Sequence, residues 1–370
     1  MTRRGFAARA GLAFAGGRML PEMALAQRAA LTGPMPKDMV WLNANENPDG
    51  PPQAAIDEMM RILPSTGRYH YQEFRDFYGT VAKSEDLSAE QILLGSGSSE
   101  VLHAAVDAFT SPTRPLIAII PTYEGPLDLT RALGRTTVKV PLASRYSADV
   151  RKLAEEAGKA DGGLIYMCNP NNPTSTITPK SDMAWLVANL PPNTQLLVDE
   201  AYHSFSESPE FESALGYVRQ GKDVIVTRTF SKIYGMAGLR AGYACARPEL
   251  ISKMQPFRNN VISYVAARAV IAALADTPNF LPQRRAKVLK TRTELCGWLR
   301  QKGIKYIEPH ANFLMIDIGR DVRPVQVDLA RNGVAVGRPF PPLDTMMRVS
   351  IGSGQEMSKF RDAFWKVYNS

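Results

Sequence analysis

The feature that most constrains this chain is a long alternation between Ala89 and Ala246, in which short apolar runs are separated by amphipathic stretches. The apolar runs fall at residues 92–94, 116–120, 138–140, 164–167, 196–198 and 224–227, all too short for helices. Residues 101–109, 148–160 and 182–190 carry helical patterns between them. Parallel strands need a crossover connection, usually a helix, so this alternation predicts an α/β layered domain with a mainly parallel central sheet.

Beyond Pro248 the pattern changes. Residues 261–275 and 284–301 read as two long helices with Arg and Lys on their exposed faces. Short strands at 313–316 and 347–350 and a closing helix over 355–368 follow, which predicts a smaller α+β C-terminal domain. A chain of 370 residues is long enough for two cores. The expected division is an export signal or flexible extension over 1–30, an N-terminal segment over 31–65 packing on the small domain, a large ligand-binding domain over 66–250, and the small domain over 251–370.

Composition excludes several classes. With 45% hydrophobic and 22% charged residues the chain is neither disordered nor collagen-like. No apolar run reaches the roughly 18 residues of a spanning helix, so no stable membrane association is expected. The net charge is +8, but residues 1–26 hold four Arg against one Glu, and the remaining excess is mild. Without blocked Lys and Arg or an aromatic-basic stripe, nucleic acid is not the expected partner, and a small anionic ligand fits better. Cys168, Cys245 and Cys296 have no CxxC spacing and no His at ligand spacing, so they are expected as buried free thiols rather than a metal site or a disulfide framework. His70, His103, His203 and His310 form no ligand pair either.

At the N-terminus, Thr2-Arg3-Arg4-Gly5-Phe6 precedes a small, apolar stretch over 10–17 and Ala24-Leu25-Ala26. Paired Arg before Phe resembles a twin-arginine export signal, with small residues where a signal peptidase reads. Arg18, Pro21 and Glu22 interrupt the apolar region, and an Arg-rich cytoplasmic extension is the other reading.

The chemistry sits where the apolar runs end. Thr229-Phe230-Ser231-Lys232 follows one of them, and Lys232 is the strongest candidate. A lysine leaving a buried strand is costly unless it is neutralised or used covalently, as in a Schiff base with an aldehyde cofactor. Asp199, in Val198-Asp199-Glu200-Ala201-Tyr202, ends a second strand, where a carboxylate can pair with a ring nitrogen or simply cap a helix. A third ends in Cys168-Asn169-Pro170-Asn171-Asn172-Pro173-Thr174, which also suits a turn. Three polar groups at strand ends converge where α/β sheets bind ligands. The loop 95–100 precedes a helix start whose N–H groups favour an anion, and with Ser231 and Arg240 it makes a plausible phosphate cup.

Asn172-Pro173-Thr174, Asp199 with Tyr202, and Ser231-Lys232 with Arg240 eight residues later resemble the fold-type I pyridoxal-phosphate aminotransferases. Residues 42–48 (Leu-Asn-Ala-Asn-Glu-Asn-Pro), Arg68-Tyr69 and Arg348-Val349-Ser350-Ile351-Gly352 narrow the resemblance to the histidinol-phosphate aminotransferase-like branch, over about residues 40–370. It implies a homodimeric transaminase that uses pyridoxal 5'-phosphate in two half-reactions, moving nitrogen from an amino donor to a 2-oxo acid acceptor. Lys232 would hold the cofactor and shuttle the Cα proton. Asp199 would hold the ring nitrogen, Asn172 and Tyr202 the phenolic oxygen, and Tyr123 would stack on the ring. Ser98, Ser99, Ser231 and Arg240 would bind the phosphate, with Tyr69 reaching over from a partner subunit. Arg348 would grip the donor's anionic end, with Arg338 and Asn47 near the substrate. Other chemistry at Cα (decarboxylase, lyase or racemase) and a ligand-sensing module without turnover are the competing expectations.

The pattern departs from the resemblance in three places. Ser175 stands where the family usually has Gly. Arg338 sits in an unusual Gly337-Arg338-Pro339-Phe340-Pro341-Pro342 setting, and Asn47 replaces an aromatic residue found in some members. The last two bear on the donor, expected to be histidinol phosphate or an L-amino acid, aromatic ones included.

Overall fold

The computed structural model describes residues 38–258 and 262–370, so the Arg3-Arg4 segment lies outside the described residues. The chain enters through β1 (Val40–Leu42), α1 (Gln53–Ile62) and α2 (Phe74–Ser84). Strand and helix then alternate: β2 (Ile92–Gly95), α3 (Ser98–Phe109), β3 (Leu116–Ile120), α4 (Gly125–Ala132), β4 (Thr137–Pro141), α5 (Val150–Gly158), β5 (Gly163–Cys168), α6 (Lys180–Ala188), β6 (Thr194–Asp199), α7 (Leu215–Arg219), β7 (Val224–Thr229) and β8 (Gly242–Cys245). These strands form one seven-stranded sheet in the order β2-β8-β7-β6-β5-β3-β4. Strand β8 runs antiparallel to β2 and β7, and every other pair is parallel.

Strands β5 and β6 are buried along their whole length, which is why they read as unbroken apolar runs rather than alternating ones. Because β3, β5, β6 and β7 are parallel, their C-terminal ends lie along one edge of the sheet. The register sets Cys168 beside Asp199 and Asp199 beside Thr227, so the polar ends of three strands become neighbours.

The rest of the chain comprises α8 (Pro248–Met254), α9 (Tyr264–Gln301), β9 (Phe313–Asp317), α10 (Val322–Arg331), β10 (Val334–Val336), β11 (Met346–Ser350) and α11 (Gly354–Tyr368). Strands β9 and β11 pair antiparallel, and β10 pairs parallel with β1.

Two expectations need correction. The two helices expected over 261–275 and 284–301 are one 38-residue helix, α9, with Pro278 and Pro282 inside it. Each proline removes one backbone hydrogen bond, but packing at both ends holds the rod continuous. Ala266, Ala269, Val270 and Ala273 are buried with Ile92, Leu94 and Val226, while Leu295, Cys296 and Leu299 are buried with Leu314 and Phe360. One helix therefore serves both sides of a boundary expected at residue 250. The described part of the segment 31–65, from residue 38 on, is also divided. Strand β1 joins the C-terminal part through β10, whereas α1 packs along α9, buries Ala55 in the sheet-side core and ion-pairs Glu58 with Arg268 at 2.6 Å. The three cysteines are buried and free.

Candidate active site

Strand β7 delivers Lys232 to the sheet edge. Three residues past the strand, its Nζ donates to the Ala44 carbonyl at 3.2 Å and lies 5.7 Å from the Tyr202 ring centroid. Burial pulls its pKa down to about 8, the charges of Arg348 and Arg240 push the same way, and Glu46 and Asp199 oppose them. An amine with that value is part neutral near pH 8, so it can act as a nucleophile and as a base without being removed from water completely.

Asp199 closes β6 and is buried. Its Oδ1 accepts from the Ala201 N–H and from the Thr227 hydroxyl, each at 3.2 Å. Burial raises its pKa to about 6, against the pull of those two hydrogen bonds and of Lys232. An acid held by neutral donors in a desolvated place is stabilised as the carboxylate by an adjacent cation, such as a protonated ring nitrogen. Tyr202 stands between Asp199 and the small-domain wall: its hydroxyl accepts from Asn45 Nδ2 at 3.2 Å, its ring meets Phe313 edge-on at 4.9 Å, and burial holds its pKa well above the ordinary phenol value.

The anion cup forms at the start of α3. Gly97 caps that helix with φ +80, and a Cβ there would lie 2.3 Å from Arg240 Nη2. A Cβ on Gly242 would lie 2.3 Å from the Ser98 nitrogen. The two glycines thus let a guanidinium and the first turn of a helix close on the same space. Arg240 Nη1 donates to Ser231 Oγ at 3.3 Å and to the Ala237 carbonyl at 3.0 Å. Ser98 and Ser99 occupy the first helical positions, where N–H groups lack intrahelical partners. Burial raises the Tyr123 phenol, and the nearby Ser99 side chain opposes that shift. A phosphate with a flat ring attached fits this arrangement of a helix start, two hydroxyls and a guanidinium beneath Tyr123.

On the opposite wall, Arg348 comes from β11 and is buried. Its Nη1 donates to Asn172 Oδ1 at 2.7 Å, its Nη2 to the Asn43 carbonyl at 2.5 Å, and its Nε is buried without a hydrogen-bond partner. Among the described residues no carboxylate pairs with it, and burial lowers its pKa to about 10. A buried cation held only by neutral oxygens is a strong site for an incoming anion. Arg338 stacks on Phe340 at 4.1 Å and ion-pairs Glu124. The Asn47 amide is committed elsewhere: Nδ2 donates to the Ile233 carbonyl at 3.2 Å and Oδ1 accepts from the Asp49 N–H at 3.0 Å. It holds the segment after Lys232 rather than offering a free group. Tyr69 lies outside the cluster, 77% exposed and stacked on Tyr71 at 5.1 Å.

Several contributors escaped the sequence reading. Thr227 is one, and its signal was weak, a polar residue inside an apolar strand two positions before the strand's end at Thr229. Asn45 is another: it bonds Tyr202 and receives the Ser350 hydroxyl at 2.9 Å, tying the entering segment to β11. The density of Asn in residues 43–47 was the available signal. Glu124 had none, since its partner Arg338 lies 214 positions away, whereas Phe340, two positions after Arg338, was legible only as part of that residue's unusual setting. Ser175 sits at φ +63, where glycine would be unstrained, and its hydroxyl accepts from the N–H groups of His310 at 3.0 Å and Ala311 at 2.8 Å. His203 Nδ1 donates to the Glu200 carbonyl at 2.8 Å, its Nε2 accepts from the Ser204 hydroxyl at 3.2 Å, and burial lowers its pKa to about 4.

Comparison with known proteins places this geometry in context. The family model for aminotransferase class I and II matches residues 37–364. The chain is 32% identical over 329 residues to a histidinol-phosphate aminotransferase of Symbiobacterium thermophilum, covering 88% of this chain and 90% of the relative. It is 32% identical over 344 residues to one from Moorella thermoacetica, covering 90% and 86%. Among solved structures, the histidinol-phosphate aminotransferase of Sinorhizobium meliloti in complex with pyridoxal-5'-phosphate superposes with a TM-score of 0.84 at 25% identity, over 95% of this chain and 98% of the other.

Proposed function

The chain belongs to the aminotransferase class I and II family, and from that premise we propose that the sheet-edge cluster is a pyridoxal-phosphate-dependent transaminase site of the histidinol-phosphate type. The observation that carries this reading is the meeting of a depressed-pKa lysine, a buried acid and an arginine-lined helix start around one space. Lys232 would hold the cofactor covalently, Asp199 its ring nitrogen, Asn172 and Tyr202 its phenolic oxygen, Tyr123 its ring face, and Ser98, Ser99, Ser231 and Arg240 its phosphate. When bound, the cofactor supplies a carbonyl that carries nitrogen and a ring that withdraws electrons from the donor's Cα.

The protein's own part is positioning and proton transfer. Arg348 anchors the anionic end of a primary-amine donor, with Asn172 and the Asn43 carbonyl fixing the plane of its fork. That fixes which Cα bond faces the ring. With the cofactor bound, the Lys232 amine would be the group that takes the donor's Cα proton at Nζ and gives it back on the same face. A donor with an anion and an apolar or aromatic body suits walls made of Phe313, Phe340 and Tyr123; histidinol phosphate and an aromatic L-amino acid both qualify.

Two coarser aspects complete the proposal. A second copy of the chain supplies Tyr69 to the phosphate, which accords with an exposed Tyr69 next to exposed Tyr71, Leu63 and Met60. The N-terminal segment directs export, a reading that rests on Arg3-Arg4 and Ala24-Leu25-Ala26 alone; fractionation of cells expressing the full chain with and without Arg3→Lys/Arg4→Lys tests it.

The deciding experiment is an absorption spectrum of the full chain with added cofactor, before and after histidinol phosphate, aromatic amino acids, aspartate and glutamate, with Lys232→Ala as control. Replacement of the Lys232-bound cofactor band by that of the aminated cofactor supports transamination and names the donor. A stable band that no donor converts rejects it.

A further inference from the structure

Two arginines reach the substrate side, and their surroundings differ in charge. Both lie against the same ring: Arg348 at 4.8 Å and Arg338 at 4.1 Å from the Phe340 centroid. Arg348 is buried among neutral oxygens, as described above. Arg338 instead ion-pairs Glu124, whose carboxylate reaches it from the turn between β3 and α4, across 214 positions of sequence.

The local backbone fixes this pair in place. Glu124 directly follows Tyr123, and Gly125 follows it; a Cβ on Gly125 would lie 2.8 Å from the Tyr123 ring, so the turn carries Glu124 in close step with the ring-stacking tyrosine. On the other side, Gly337 donates its N–H to the Arg348 carbonyl at 2.8 Å, and a Cβ there would lie 3.0 Å from Arg348 Nε. Arg338 is thereby tied to Arg348 through one glycine, and Gln326 binds the Gly337 carbonyl. Both ends of the ion pair are thus attached to residues assigned here to the site. Its side chains are part-exposed, 25% for Arg338 and 39% for Glu124, which suits a pair at a mouth rather than in a core.

Charge arithmetic then discriminates between anions. A carboxylate is satisfied by one guanidinium, which Arg348 offers without a competitor. A phosphate dianion is best held by two, and to recruit Arg338 it must compete with Glu124. We infer that Glu124 is a specificity-determining residue that, by pairing with Arg338, favours donors with a single carboxylate over donors with a phosphate at the Arg348 end. The inference rests on the transaminase reading and narrows its donor to the amino-acid class. A repulsive element of this kind acts by opposing the wrong ligand, which is why it leaves the contacts to the right one unchanged.

The test compares two non-reacting ligands with the same aryl body, 3-phenylpropanoate and 2-phenylethyl phosphate, binding to the cofactor-loaded enzyme at pH 8 by calorimetry. Neither has an amine, so the readout is affinity and not turnover. Glu124→Gln is expected to tighten the phosphate about five-fold while the carboxylate stays within about two-fold, the scale of a part-exposed charge pair. Glu124→Ala should repeat the change, and adding Arg338→Gln to Glu124→Gln should abolish the gain. Equal shifts for both ligands, or none, overturn the inference, as does a gain that persists without Arg338. The donor spectra described above stand apart: if no donor converts the cofactor, the transaminase reading fails whatever Glu124 does, and if donors convert while the affinity ratio stays fixed, only the role of Glu124 fails.

Discussion

Along the sheet edge, Cys168, Asp199 and Thr229 end adjacent parallel strands, and each catalytic candidate lies within a few residues of its strand. The facing wall is assembled differently: Arg348 from β11, Arg338 from the turn after β10, and Asn43, Ala44 and Asn45 from the segment after β1. The edge gets its precision from strand register, where a hydrogen-bonded ladder fixes Asp199 beside Thr227 without help from side chains. The wall depends on pairwise side-chain contacts across large sequence separations, such as Asn45 with Ser350 and Arg348 with Asn172. Chemistry common to a family is carried by the rigid side, and choice of substrate by the side that many single changes can alter.

Breaking the edge should have the larger consequences. Lys232→Ala removes nucleophile and base together, and kcat for any donor should fall by about 10⁴-fold or more; a residual rate within ten-fold of wild type would show that another group moves the proton. Asp199→Asn should lower kcat by about 10²–10³-fold, with loss of cofactor affinity read by dialysis. Because Thr227 and Ala201 donate to the same oxygen, the variant should keep its melting temperature within a few degrees.

On the wall, Arg348→Ala should raise KM by about 100-fold, the scale of a lost charge-assisted hydrogen bond in a desolvated place, and Arg348→Lys should recover part of it because the fork geometry is missing. A fall in kcat with KM unchanged would show that Arg348 acts on the chemistry and not on binding.

The acid–base behaviour separates the two sides as well. Lys232 is depressed to about 8, so its neutral fraction in the apoprotein rises about ten-fold per pH unit below 8 and levels above it. The rate of covalent cofactor capture should follow that curve, with an inflection near 8 that moves up in Arg348→Gln, since removing a cation raises the lysine's pKa. An inflection near the ordinary lysine value would contradict the burial described for Nζ. The smallest effect is expected at Ser175→Gly: relief of a φ of +63 is worth about 1 kcal/mol, and two lost hydrogen bonds to His310 and Ala311 are worth about 1 kcal/mol each. Net destabilisation of about 1 kcal/mol, measured by denaturant unfolding, would show that the hydroxyl compensates for the missing glycine.

The sequence by itself determined the sheet-edge half of this protein. Apolar runs such as residues 164–167 and 196–198 are buried along their whole length, as strands covered on both faces require. The motif residues sit at their ends, so Lys232, Asp199 and Asn172 were visible from local pattern. Tertiary structure alone decided three things. It made α9 one helix, because packing at both ends outweighs two prolines that interrupt the local pattern. It committed the Asn47 amide to Ile233 and Asp49, which spacing does not reveal. It also set Glu124 against Arg338, because charge pairing between residues 214 positions apart is a property of the closed fold. Periodicity is written over a handful of neighbouring residues, whereas the partner of a charge is chosen only once distant segments have packed.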